Sequence, residues 1–276
     1  MVVDKTVSAW LRAETLLARA TIALKVDPAQ AAIEAKLKQA MAALLEPTLS
    51  AMLADLDSYP VTPGAFVAPL TTLTLDMASA IEDILALAGV EEIKALLGDK
   101  TFTIDQYSPK VRELLKVKAF EASQRTIDAI VGDVNASLTE SFEAGLGIDD
   151  AAGKLKDVFD GLKTFELERI ARTEINSSQN TIASQTIVEL NIPYNQWIAT
   201  DDDRTREEHA EMDGQIVRTG DPFQYGMTYP GDFGSGVDVS LLINCRCRVR
   251  PFIMPTGYIA PPGEPWFYED DLVPIG

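Results

Sequence analysis

The sequence predicts an α+β protein with an all-helical N-terminal half, a small α+β domain with a mostly antiparallel sheet, and an extended C-terminal arm. Three observations carry this. Apolar residues recur at three- and four-residue steps as far as Leu190, the period of an amphipathic helix. After Pro193 the texture changes to short β-leaning runs separated by glycine, proline and aspartate. From Pro251 onward prolines accumulate beside Trp266, Phe267 and Tyr268. The expected division is therefore a helical domain over 1–163, a mixed domain over 164–252 and an arm over 253–276.

In chain order, Val7, Trp10, Leu11, Leu16, Leu17, Ala20 and Leu24 predict a helix over 5–25. Asp27 then caps a second helix that has Pro28 in its first turn and Ile33, Leu37, Met41, Leu44 and Leu45 as its stripe. Pro47 is expected to kink it before it continues towards Leu56. Residues 59–64 hold two prolines and read as a loop. A helix over 73–97 is expected to be interrupted at Gly89, and Gly98-Asp99-Lys100 stops it. Ser108-Pro109 caps a long helix through Leu115, Ile127, Ile130, Val134 and Leu138, ending near Gly145. A short helix over 151–159 follows. Another starts at Thr164 and runs through Leu167, Ile175, Ile182 and Ile187 to the stop at Pro193.

Strands are expected over 196–199, 215–218 and 246–252. Between the first two, 203–212 reads as a short helix with Gly214 as its stop. Proline removes ladder donors from the arm, yet three adjacent aromatics are costly to leave in water. Trp266, Phe267 and Tyr268 are therefore expected to dock on another surface, in this chain or on a partner.

Composition narrows the function. A net charge of -18 and a pI near 4.4 oppose a surface that wraps nucleic acid, although a local basic patch is compatible with them. No apolar run approaches the roughly 20 residues of a membrane span. Residues 1–5 lack the basic start of a signal peptide. A soluble protein made in a cytoplasm, with no membrane partner, is the expectation. Two cysteines in 276 residues make no disulfide framework, and Cys245 and Cys247 are too close for an unstrained bridge on a strand.

The single histidine, both cysteines and the densest paired charges all fall between Trp197 and Arg248. One reading is a metal site of His209, Cys245 and Cys247, with Asp202 or Asp213 as fourth ligand. Its weakness is spacing, since zinc sites usually bring cysteines as C-x2-C. The plainer reading makes the cysteines small buried hydrophobes and bonds His209 to a carboxylate. A second reading has His209 as base, Cys245 as nucleophile and Asp202 or Asp213 as orienter. The same residues also make an ordinary network. Asp202 would cap the short helix, and Arg204 and Arg206 would pair with Glu207, Glu208 or Glu211.

Alternation on a strand puts Arg246, Arg248 and Arg250 on one face, either a phosphate row or a face paired with nearby acids. Ala171-Arg172-Thr173-Glu174, followed by Asn176, Ser177, Gln179 and Asn180, forms a polar helix face. It is expected in solvent or hydrogen-bonded to the domain that follows.

Taken in order, six elements resemble the phage Mu F-like head-morphogenesis family, over roughly residues 164–252. They are Ala171-Arg172-Thr173-Glu174, the Trp197 strand with Asp202-Asp203-Arg204-Thr205-Arg206, His209, Met212-Asp213-Gly214, Tyr229-Pro230-Gly231-Asp232 and Asn244-Cys245-Arg246-Cys247. Some members carry a histidine just before the Asn-Cys-Arg-Cys element. Leu242 and Ile243 stand there in this chain, which weakens the metal reading.

The resemblance implies a non-enzymatic minor capsid protein of a tailed phage or prophage. It would be made in the host cytoplasm and sit in the virion, at the portal vertex or inside the capsid, in several copies. Portal protein or major capsid protein would be its partner, with local contact to packaged DNA, and no cofactor or catalytic residue is expected. Asp202, Arg204, His209 and Asp213 would then form a buried polar network, with Asn244 as a turn former. The alternatives are a metal-dependent or cysteine-based hydrolase and a DNA-binding ejection protein.

Overall fold

Leu37, Met41, Leu45, Leu49 and Met52 fall four and three residues apart, so they share one helix face, and all are buried. They line α1 (Pro28–Ala54), which continues past the exposed Pro47. The computed structural model describes residues 28–56, 63–200 and 202–275. The helix expected over 5–25, the Asp27 cap and positions 59–62 of the expected loop lie outside the described residues.

α2 (Pro63–Leu97) begins ten residues earlier than the pattern suggested. Pro63 opens it, at a position where a missing N–H costs nothing. Ser108 caps α3 (Pro109–Glu143) by accepting the Val111 N–H at 3.2 Å. The two helices expected on either side of residue 160 are one continuous run: α4 (Ile148–Gly161), a π turn (Leu162–Glu166) and α5 (Leu167–Glu189). The sequence explains the π turn. Buried positions Leu155, Phe159 and Leu162 step by four and three, and the next is Leu167, five residues on, before Ala171 and Ile175. One wide turn absorbs that extra residue and keeps the apolar face in phase.

Two compact units result. The helical unit comprises Ala32–Ala86 and Ser108–Glu174. Its buried apolar residues are the α1 stripe, Leu70, Met77, Ile81 and Leu85 of α2, and Leu115, Ile127, Ile130 and Val134 of α3. Arg125 clasps both carboxylate oxygens of Glu174 at 2.9 Å.

The mixed unit takes Leu87–Tyr107, Ile175–Gly276 and the described residues before 32. Gly89, expected to interrupt α2, is passed without a break. A Cβ there would lie 2.0 Å from Ile182 Cδ1 and 2.6 Å from the Tyr107 hydroxyl, so glycine lets α2 and α5 approach closely. The sheet contains β1 (Tyr194–Ile198), β2 (Ile216–Arg218), β3 (Arg248–Phe252) and β5 (Trp266–Phe267) in the order β3-β1-β2-β5, every pair antiparallel. β4 (Tyr258–Ile259) and β6 (Val273–Pro274) form a separate two-stranded ladder.

Trp197 stands opposite Val249, and Asn195 opposite Val217. That face carries the core of Trp197, Val217, Val249, Met212, Phe223 and Met227, closed by Ala183 and Ile187 of α5. The opposite face holds the smaller cluster of Ile216, Phe252 and Phe267.

Candidate functional site

α6 (Glu207–Glu211) is a single short turn of helix between β1 and β2, and His209 is its one buried residue. The chain re-enters from the other side through Asn244, whose φ of +55° makes the turn expected of it. Extended backbone follows, so Cys245, Cys247 and Val249 point into the core while Arg246, Arg248 and Arg250 point the other way. Both sulfurs thereby reach the same ring nitrogen. Cys245 Sγ lies 3.6 Å and Cys247 Sγ 3.5 Å from His209 Nδ1. All three residues are about 2% exposed. The Trp197 ring stands edge-on to the imidazole at 5.4 Å and packs it in place.

The two thiols are coupled. A hydrogen bond from Cys247 holds the Cys245 thiol below its usual value, against the opposing effect of burial. That same bond, with burial, pushes the Cys247 thiol well up.

The structure therefore assembles the three soft donors read from the sequence but neither expected fourth ligand. Asp202 is clasped by Arg246, whose Nη2 donates to Oδ1 at 2.7 Å and whose Nη1 reaches Oδ2. This bond holds its carboxyl well below the usual carboxylate range. The Asp213 carboxylate accepts the Ala199 N–H at 2.9 Å. The nucleophile–base–orienter arrangement does not assemble either, because His209 Nε2 has no hydrogen-bond partner among the described residues. Nor does Asp202 cap α6: it accepts the Arg204 N–H at 3.0 Å in the preceding turn.

The expected buried network needs correcting. Of its five members only His209 is buried; Arg204 is largely in solvent, and Asp213 and Asn244 are exposed. Arg206 donates to the Ile243 carbonyl at 2.7 Å, a backbone partner in place of the expected glutamates.

The polar network that is buried lies one layer away. Arg248 and Arg250 are 7% and 8% exposed, and Glu92 of α2 sits between them at 4%. Arg250 Nη1 donates to one Glu92 oxygen, and Arg248 Nε stands 3.6 Å from the other. Arg248 also donates to Gln179 and Gln30 at 2.8 Å each and to Asn176. The phosphate row read at Arg246, Arg248 and Arg250 is thus not a free surface. Alternation does place the three on one side, and that side is covered, with a carboxylate on each guanidinium.

The polar face of α5 answers to the domain that follows it. Asn180, fully buried, donates to the Cys247 carbonyl at 3.0 Å and accepts the Val249 N–H at 2.8 Å. β3 is an edge strand, and this one side-chain amide pairs its outer edge as a neighbouring strand would. Ser177 donates to the Gly231 carbonyl at 2.7 Å. Gly231 has a φ of +76°, and a Cβ there would sit 3.1 Å from Ser177 Cα, so a close approach and a left-handed backbone both demand glycine. Asp232 beside it, 6% exposed, accepts from Thr228 and from the Gly234 N–H, holding that loop.

The aromatic arm docks in cis. Trp266 and Phe267 pair with Val217 and Ile216 as the sheet's last strand, and the Tyr268 hydroxyl donates to the Glu211 carbonyl at 2.8 Å. The arm has prolines around this stretch and none within it, so a two-residue ladder forms where none was expected. Glu92 was missed altogether, since nothing in its helical stretch marks it as the partner of arginines over 150 residues away.

These features define an α+β module in which a long helix, a small antiparallel sheet and a Cys-Arg-Cys segment are bolted together by side-chain to backbone bonds. Residues 132–250, a little under half of the chain, match the family described as Phage Mu protein F like protein, so that stretch is similar to this family. The match starts earlier than residue 164 and leaves out Glu92 and the Trp266–Phe267 strand. No curated protein and no solved structure matches the chain. Among the described residues no helix is long and apolar enough to cross a membrane.

Proposed function

We propose that this chain is a non-enzymatic minor component of a tailed-phage or prophage head, acting at the portal vertex or inner shell during assembly and DNA packaging or ejection. One observation carries the reading. Polar residues of the resemblance and of the helix face beside it are spent on internal bonds: Asp202 on Arg246 and Asp213 on Ala199 from the resembling elements, Asn180 and Ser177 on backbone from the adjoining face. Groups committed in this way specify a shape that another protein can bind.

Portal protein or major capsid protein is the partner this reading names, with several copies per virion. The acidity of the chain supports it, because a net charge of -18 repels packaged DNA at long range while leaving protein contacts open. The arginines once read as a phosphate row are occupied, so the ejection-protein alternative loses its motif. Affinity copurification of the tagged chain from cells making the portal and major capsid proteins tests the proposal. Stoichiometric recovery of either supports it; a monodisperse chain that retains neither overturns it.

A further inference from the structure

His209, Cys245 and Cys247 carry an inference that the capsid reading does not need. Zinc–sulfur and zinc–nitrogen bonds of about 2.3 and 2.05 Å, set at the tetrahedral angle, place sulfur and nitrogen about 3.6 Å apart. The two observed separations are 3.6 and 3.5 Å, and all three donor atoms lie within 4.8 Å of one another. A hydrogen-bonded explanation accounts for only part of this. A neutral imidazole nitrogen has one lone pair, so Nδ1 accepts one thiol proton; the bond between the two thiols occupies the other, but it does not require both sulfurs to stand at the same distance from Nδ1. A soft cation at the centre engages all three donors at once, and thiolate–imidazole sets select zinc among the common divalent ions.

We propose that His209 Nδ1, Cys245 Sγ and Cys247 Sγ bind one zinc ion, with a water in the fourth position. Among the described residues no further histidine, cysteine or carboxylate joins the cluster, which is why the fourth ligand is assigned to solvent. Binding releases the two thiol protons, and two thiolates balance the ion's charge. The three protein donors are buried, so the ion's part here is to hold chain segments together. Zinc fastens α6 to the segment leading into β3, at a place where the sequence puts only a one-turn helix and a coil. Trp197, edge-on at 5.4 Å, fixes the imidazole by packing, because among the described residues Nε2 has no outer-shell acceptor of the kind that steadies most ligating histidines.

The test uses the reduced full chain incubated with excess zinc, then native mass spectrometry and cobalt(II) substitution. Expected are one zinc per chain, and a cobalt derivative with the visible bands of a tetrahedral ion and thiolate-to-metal charge transfer. Cys245→Ser and Cys247→Ser should each weaken zinc retention by more than the roughly 10- to 100-fold that outer-shell changes cost. Substoichiometric zinc, a cobalt spectrum without thiolate charge transfer, or zinc retained by the double serine variant overturns the assignment. Where the variants fail to fold, the cobalt spectrum of the unaltered chain decides. The result is independent of the capsid reading: a zinc-bound chain that ignores portal and capsid proteins sinks only that reading, and a zinc-free chain that binds them sinks only this one.

Discussion

Asn180→Leu is the substitution that separates hydrogen bonding from space-filling in the α5 face. The native amide donates to the Asn176 and Cys247 carbonyls at 3.0 Å each and accepts the Val249 N–H at 2.8 Å. Leucine keeps the branching and heavy-atom count of asparagine but is larger, so a packing role alone predicts a cost of about 1–3 kcal/mol from overpacking. The bonding role predicts more. The Cys247 carbonyl and Val249 N–H lie on the outer edge of β3, closed to water; the N–H loses its partner, and the carbonyl keeps only the long 3.5 Å bond from Arg248 Nη1. At about 1–3 kcal/mol for each buried group left unsatisfied, the loss is at most about 6 kcal/mol. Asn180→Asp should be no better, because it keeps the acceptor for Val249 but turns a second acceptor, now charged, on the Cys247 carbonyl. Urea unfolding followed by tryptophan fluorescence reads the change, since Trp197 is fully buried in the same unit. An Asn180→Leu variant less than about 1 kcal/mol from the parent would refute the edge-pairing argument.

Glu92→Ala leaves Arg248 and Arg250 buried without their carboxylate and should cost about 3–5 kcal/mol. Combining Glu92→Leu with Arg250→Met should recover part of that, and urea titrations of the single and double variants should give a coupling of about 1–3 kcal/mol. Gly231→Ala forces a side chain into left-handed backbone against Ser177 and should lower the thermal midpoint measurably, with a cost of about 1–3 kcal/mol. Asp202 has a depressed folded pKa, so its pairing with Arg246 contributes fully above the unfolded value of about 3.9 and is lost as pH falls below it. The difference in urea midpoint between the parent and Asp202→Asn should therefore hold steady from pH 7 to about pH 5 and shrink below about pH 4. Because both partners are partly exposed, that difference should be no more than about 1 kcal/mol. A gap that widens in acid would contradict the assignment.

How much of this was legible in the sequence depends on the range of each signal. Helices α1 to α5 followed from apolar spacing, and β1 to β3 from alternation bounded by glycine and proline, because both signals are local. The π turn escaped because one five-residue step, Leu162 to Leu167, looks like a break between two helices until burial shows the face continuing. Arg248 and Arg250 were correctly placed on one side of a strand, but nothing local tells which element covers that side. Glu92 covers it from α2, a helix whose own composition gives no hint. The cysteine–histidine cluster was read as three residue types without known convergence. Their meeting depends on α6 and the Asn244 turn, which set the angle at which two distant segments approach. Asn180 and Ser177 were noticed as a polar face, and their role emerged only when their bonds to β3 and Gly231 gave each polar atom a partner.

The central claim is that these motif residues build a binding shape for the phage head and perform no reaction there. Quantitative mass spectrometry of purified heads, combined with lysine and carboxylate crosslinking of the intact particle, tests it most directly. The account predicts the chain in several copies per particle, with crosslinks from its surface to portal or major capsid protein. Heads that assemble complete and contain none of the chain would contradict it.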